Sequence, residues 1–188
     1  MKIDELIEKR RSYRALEPIE ITKDMIHRLA NSAKMAPSCF NNQPWRFVFV
    51  QSKEMLEKMR DAMMKGNEWT YDASMIIAVI SKKDLDCSVK GMDYYKFDVG
   101  MSVGIMMLKA TEMGLVAHAI AGYKKDKVRE ILDIPEEYDV ITLINVGKHG
   151  DYKDHDNLSD KQVNDEKERP PRKEFTEFAS IDKFDIKG

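Results

Sequence analysis

The chain has 188 residues, of which 43% are hydrophobic and 34% charged, and its formal net charge is −2. That length fits one domain with a substantial core, and so balanced a charge supplies no overall field to recruit nucleic acid or an anionic membrane. The longest unbroken apolar run, Met75–Ile80, is far short of the ~20 residues a membrane helix needs.

The first residues, MKIDELIEKR, mix acids into a stretch where a signal peptide has its apolar core. The two cysteines, Cys39 and Cys87, have no metal-type spacing and imply no disulfide framework, which fits a reducing cytoplasm. Ile3, Leu6 and Ile7 mark one stripe of a short first helix. It runs into a basic cluster, Lys9, Arg10, Arg11 and Arg14, with Ser12 among them. Cations are electrostatically welcome at a helix C-terminus, so the cluster has a purely structural explanation as well.

Thr22 is placed to cap a second helix whose inner face is Met25, Ile26, Leu29, Ala30 and Ala33. That helix stops before Pro37. The loop Ala36–Phe47, APSCFNNQPWRF, then carries Ser38, Asn41, Asn42 and Gln43 between Pro37 and Pro44. Four uncharged groups that donate and accept, on a backbone restricted by two prolines, suit the edge of a flat heterocycle. A polar connection with no ligand is an equally ordinary reading of the loop alone.

Arg46–Val50 reads as a strand, and Ser52 caps a helix with Met55, Leu56, Met59 and Met63 inward, closed by Gly66. Met75–Ile80 reads as a strand buried on both faces, and Lys82–Lys96 as irregular. Phe97–Met113 is apolar nearly all round, which predicts a helix covered on most sides. Gly100 and Gly104, one turn apart, would admit another backbone there. Leu115–Ile120 and Val140–Val146 read as strands, the second ended by Gly147, with a helix bearing Val128, Ile131 and Leu132 between them. From Lys148 to Glu168 the chain is charged and too poor in apolar residues to order itself unaided. Arg169–Phe178 regains basic and aromatic residues that could dock on the body. The pattern predicts an α+β sandwich. No glycine-rich phosphate loop follows a strand, which argues against Rossmann and P-loop sites.

Two stretches together resemble the nitroreductase family of FMN-dependent oxidoreductases. One is Arg10-Arg11-Ser12-Tyr13-Arg14, similar to the family's R-R-S-x-R. The other is Ala36-Pro37-Ser38-Cys39-Phe40-Asn41-Asn42-Gln43-Pro44-Trp45, similar to its A-P-S-x-x-N-x-Q-P-W. The buried helix from Asp98, Gly114-Leu115, the turn Ala119–Tyr123, the strand ending in Gly147 and the basic Arg172-Lys173 follow in the family's order.

The resemblance implies a mixed, largely antiparallel sheet flanked by helices, an α-β-α sandwich. It also implies a homodimer with two FMN sites at its interface, the helix with Gly100 and Gly104 supplying much of the contact. Arg10 and Arg14 would meet the FMN phosphate, with Ser12 as hydroxyl donor and Arg172, with Lys173 or Arg169, from the other end, even from the other subunit. Guanidinium forks match phosphate oxygens. Arg11 would act through its backbone or toward the flavin's polar edge. Ser38, Asn41, Gln43 and Asn67 would contact the ribityl and ring edges. The backbone of Ala121 and Gly122 would face flavin N5 and O4, where a glycine permits close approach. Where some members place a lysine after the equivalent of Asn67, this chain has Trp69, Thr70 and Tyr71.

The implied reaction is a two-step exchange in which NADH or NADPH gives hydride to flavin N5 and an organic acceptor, such as a nitroaromatic or quinone, takes it. The cofactor supplies the chemistry and the protein binds and orients it. A flavin-storing, flavin-degrading or non-enzymatic module is the alternative from another class, and a reductive dehalogenase or enoyl-type reductase the alternative within this one. His149, His155, Asp151, Asp154 and Asp156 fit no calcium or zinc pattern and read as a solvated loop. His118, in an apolar strand, reads as a satisfied core histidine, and Trp69 and Tyr71 as packing or as the substrate side of a flavin.

Overall fold

The computed structural model describes residues 2–186, the side chain of Asp154 excepted. Its centre is a five-stranded sheet built on β7 (Asp139–His149). This strand pairs with β3 (Met75–Ser81), β6 (Val116–Ile120) and β1 (Leu16–Glu17), and β3 pairs in turn with β2 (Arg46–Val50). Among the described residues every one of these pairings is antiparallel, so the mixed component expected of the sheet is absent.

The alternation of β3 builds two cores. Ile76, Ala78 and Ile80 point to one face, with Trp69, Met59 from α3 (Lys53–Arg60) and Val128 from α5 (Lys125–Leu132). Met75, Ile77 and Val79 point to the other, with Leu29 from α2 (Lys23–Ala33) and Val99, Val103, Met106 and Ala110 from α4 (Tyr95–Glu112). All seven residues of β3 are buried, as a strand covered on both faces requires. The result is the expected α+β sandwich of helices on both faces of a sheet.

Local signals act as read at both helix caps. Thr22 Oγ1 accepts from Met25 N at 3.2 Å and Ser52 Oγ from Met55 N at 3.3 Å. Gly114, with φ +77°, ends α4. Gly147 does not end its strand: β7 continues to His149 and pairs with β1. A Cβ at Gly147 would lie 3.2 Å from Leu16 Cβ, so this glycine lets β1 lie close.

The charged stretch also differs from expectation. Asp160–Lys167 forms a helix, α6, opened by a capping box between Ser159 and Gln162. It is ordered by docking. Glu166 is buried, and its carboxylate accepts from Arg14 N at 2.8 Å and meets His149 Nε2 at 3.3 Å. The His149 ring stacks on Tyr13 at 3.6 Å. His149 therefore joins α6 to the body, and His155 Nδ1 lies 3.7 Å from Asp72, so neither behaves as part of a merely solvated loop. The side chain of Asp154 lies outside the described residues.

Two faces stay bare. The outer side of α4 exposes Gly100 and Gly104, and a Cβ at either would meet nothing within 4 Å. Beside them α1 (Ile3–Lys9) leaves Ile3 and Ile7 exposed, and Phe175 and Phe178 near the other end of the chain are exposed too.

Candidate functional site

The two ends of the chain meet in one cavity. About 240 Å³ is enclosed by Arg10, Arg11, Ser12 and Arg14, by His118 on β6, and by Asp165, Arg169, Pro170 and Arg172. The arginine groups from either end of the sequence thus line one cavity within the single chain. Their partners divide them. Arg11 Nη2 donates to the carbonyls of Asp165 (2.6 Å) and Glu168, and its guanidinium lies 4.7 Å from the Tyr13 ring centroid, so it caps the C-terminal end of α6. Arg14 is 3.4 Å from the Asp165 carboxylate. Arg169 donates to the carbonyls of Glu8 and Arg10, the latter at 2.9 Å, and Arg172 to that of Pro170 at 3.0 Å.

Among the described residues, the Arg10 guanidinium hydrogen-bonds only to the Ser12 hydroxyl, at 3.2 Å. Burial, then the charges of Arg169 and Arg172, push its pKa below the usual arginine value. Like charges held this close call for an anion among them. Lys173 is exposed and lies outside the cavity lining.

His118 is the residue that sequence reasoning assigned to the core and that the fold places on the cavity wall. Its Nδ1 meets the Tyr13 carbonyl at 3.0 Å and its ring lies 4.6 Å from Trp69. Burial, reinforced by Arg14 and Arg10, lowers its pKa to about 4, against the opposing effect of the Tyr13 bond. A neutral ring therefore donates from Nδ1 and turns no further positive charge on the arginines. Its period-2 register puts it on the face of Val116 and Ile120, which are buried, so spacing alone pointed to the core.

Behind Trp69 stands a second polar group. Asn67 Nδ2 donates to the Gly122 carbonyl at 3.0 Å, which also accepts from Met64 N at 3.1 Å, and Trp69 Nε1 donates to Asn67 Oδ1 at 3.3 Å. The turn Ala121–Gly122 is fixed by these bonds. Trp69 is buried, and Tyr71 packs on the core with Arg60 above its ring, so both are packing residues in this chain.

The loop Ser38–Gln43 makes its bonds elsewhere. Ser38 Oγ accepts from Gln43 N at 3.0 Å, and the Asn41, Asn42 and Gln43 side chains are exposed. Cys39 N donates to Asp98 Oδ2 at 2.6 Å, and Asn42 Nδ2 to Asp86 Oδ1 at 3.3 Å. Burial, with the nearby Asp86 carboxylate, raises the Asp98 pKa against the pull of that Cys39 donor. Cys39 is bonded to Cys87 in a disulfide that runs against the expectation from two cysteines with no framework spacing, because their proximity exists only in the fold. With both sulfurs so engaged, the cluster Cys39, Asp86 and Cys87 offers no thiolate to a cation. Ser38, Asn41 and Gln43 share no hydrogen bond with the arginine cavity or with Asn67.

The nitroreductase-family sequence profile matches residues 7–68 and 63–148. This chain belongs to the nitroreductase family. An Archaeoglobus fulgidus protein named as a candidate NADH dehydrogenase/NAD(P)H nitroreductase is 31% identical over 153 residues, 79% of this chain and 86% of its own length. A solved nitroreductase family protein from Clostridium difficile 630 superposes with a TM-score of 0.78 at 27% identity, over 98% of this chain and all of that one. A crystal structure described as an oxidoreductase containing FMN superposes with a TM-score of 0.85 at 27% identity, over 100% and 95% of the two chains. Both nitroreductase-type motifs, Arg10–Arg14 and Ala36–Trp45, fall inside the matched region, while Arg169, Arg172 and Lys173 lie beyond it.

Proposed function

We propose that this nitroreductase-family protein is an FMN-dependent oxidoreductase that takes hydride from NADH or NADPH and reduces a small organic acceptor such as a nitroaromatic or quinone. The observation that carries the reading is the cavity where Arg10, Arg169 and Arg172 face one another, a site that fits a doubly charged phosphate group. The Asn67–Gly122 pair fits the other end of the same cofactor. A Cβ at Gly122 would lie 2.2 Å from Asn67 Nδ2, so the glycine lets that amide close on the turn whose backbone would face the ring edge.

Arg10, with Ser12, Arg169 and Arg172, would hold the phosphate. Arg14 and Arg11 are engaged by α6, so they would shape the cavity more than grip the ligand. Lys173, exposed in the free chain, would add charge only if the tail closes. Asn67 would orient the Ala121–Gly122 turn, whose N–H groups would face the ring. Bound FMN supplies the two-electron chemistry, from the nicotinamide donor to the acceptor.

The remaining contacts, Ser38, Asn41 and Gln43, point to a homodimer. Asn41 and Gln43 are exposed, Ser38 is half-buried, and all three lie apart from the arginine cavity, while an apolar groove of Met101, Gly104, Ile105 and Leu108 runs between Arg10 and Pro37. A second copy seated on α4 would bring its loop to the cavity and cover Ile7 as well. The pairing is then two sites, each made of arginines from one protomer and the amide loop of its partner.

The test is spectroscopic. Purified protein supplied with FMN should hold a yellow chromophore, bleach anaerobically on addition of NADH or NADPH, and recover when a nitroaromatic or quinone is added. A protein that takes up no FMN sinks the reading. One that binds FMN without bleaching is a flavin carrier instead.

A further inference from the structure

We propose that Cys39 and Cys87 form a reversible dithiol–disulfide site that holds the loop Ser38–Gln43 in its bent conformation and so sets the grip on FMN. The second half of this statement rests on the flavin reading above. The first half rests on the loop alone.

The bridge joins the loop to the short hairpin of β4 (Ser88–Val89) and β5 (Met92–Asp93), across 48 residues of sequence. Both cysteines are partly exposed, so a small dithiol can reach the bond. The loop itself is conformationally costly. Phe40, Asn41 and Gln43 have φ of +49°, +58° and +50°, in the left-handed region that disfavours a side chain. Three such residues within four positions persist only where the surroundings enforce them. Most of the loop's hydrogen bonds are local and exposed: Gln43 N to the Ser38 hydroxyl, Asn41 N and Asn42 N to the carbonyls of Ser38 and Cys39, Gln43 Nε2 to the Asn41 carbonyl, and Arg46 to the Gln43 carbonyl. Its ties to the rest of the fold are the Cys39 N–H bond to Asp98, an exposed Asn42–Asp86 bond and the one covalent link. Phe40, 86% exposed, adds no packing within the chain.

The reduced state would place two donors near a buried carboxylate. Among the described residues Asp86 Oδ2 is buried without a donor in place, beside the Asp98 carboxyl whose pKa burial and then Asp86 raise, while Asp86 Oδ1 accepts from Cys87 N at 2.8 Å. A carboxylate oxygen of Asp86 lies within 4.8 Å of both sulfurs. A disulfide has no proton to offer that oxygen, whereas a thiol is a donor. Reduction therefore trades a covalent tie for two thiol donors beside the Asp86 carboxylate and a loop free to relax, which makes two distinct states of one element.

The chemistry is thiol–disulfide exchange. A thiolate of an external dithiol attacks one sulfur, the Cys39–Cys87 bond breaks, and the external reagent closes to its own disulfide. Cys39 and Cys87 gain two electrons and two protons in all.

The experiment uses the whole chain, oxidised or treated anaerobically with dithiothreitol and then freed of it. Alkylation read by mass spectrometry reports the thiols, hydrogen exchange reports residues 38–44 in FMN-free protein, and flavin fluorescence reports FMN affinity. Both cysteines should alkylate only after reduction, loop exchange should accelerate about tenfold or more, and the FMN Kd should rise about tenfold, all reversed on reoxidation. The Cys39→Ser/Cys87→Ser double variant should sit in the loose state and ignore the dithiol. Thiols that alkylate freely in oxidised protein, or loop exchange unchanged by reduction, overturn the proposal, as does an FMN Kd equal in both states. Faster exchange with no FMN binding in either state supports the loop switch and rejects the flavin reading, so the two failures are distinguishable.

Discussion

Asn67 Nδ2 donates to the Gly122 carbonyl at 3.0 Å, and a Cβ built on Gly122 would lie 2.2 Å from that same nitrogen. The two residues thus define one contact from both sides: an amide long enough to reach and a backbone bare enough to be reached. Gly122→Ala should displace Asn67 and destabilise the fold by about 1–3 kcal/mol, as overpacking typically does. Adding Asn67→Ala should recover part of that loss, so the pair is non-additive in a double-mutant cycle. Urea midpoints of the three variants check this, and strict additivity would count against it.

Arg10→Ala should lower FMN affinity about tenfold or more while leaving riboflavin, which lacks the phosphate, unaffected. Because Arg10 is disfavoured by its own neighbours, the same change should leave the FMN-free fold as stable as before. Arg14→Ala acts differently, since Arg14 pairs with Asp165 and its main loss is the support of α6. Flavin titrations with the two ligands separate the two arginines.

His118 sets an acid limit. Its unfolded pKa is about 6.5 and its folded value about 4, so between these the unfolded chain holds a proton that the folded chain does not. Stability is therefore full above pH 6.5, falls as pH drops through that window by about 3 kcal/mol in total, and levels off below it. His118→Asn should flatten this limb in denaturation midpoints measured from pH 7 to 4. A ring proton titration by NMR with a midpoint near 6.5 in the folded protein would refute the assignment.

Ile105→Glu places a charge in the middle of the bare α4 face. If two copies meet there, the variant should run as a monomer in light scattering while keeping its helical spectrum, and should lose FMN affinity because the loop of the partner is gone. A wild-type protein that is monomeric at all concentrations would remove the basis for a shared site.

The sequence made some of this legible for physical reasons. Helix faces, caps and the fully buried β3 follow from spacing that acts over a few residues. The two motifs were visible because each is contiguous. The meeting of Arg10 with Arg172 was written only as two basic clusters at opposite ends, and nothing short of the fold says whether they meet within a chain. The disulfide was hidden for the same reason. The helix at Asp160–Lys167 was hidden by composition: it has almost no apolar face, and its order comes from polar anchors, the buried Glu166 carboxylate and the contacts of Arg11 and Arg14 with its C-terminal end. Its capping box, Ser159 with Gln162, was present as a signal but outweighed by the charge around it. Gly147 was misread because a glycine after an apolar run marks a stop as often as a close neighbour, and here the neighbour is Leu16.

The arginine cavity is closed by residues near both ends of the chain, Arg10 on one side and Arg169 and Arg172 on the other. Such a pocket cannot exist in any partly folded chain that lacks either end, so it forms late, when α6 has docked and the segment after it has crossed back over α1. An anion bound there works as a clasp on the finished molecule. It adds stability by mass action, and it adds it where fraying would begin. Protection of both termini from proteases should therefore rise together with occupancy, as a single event.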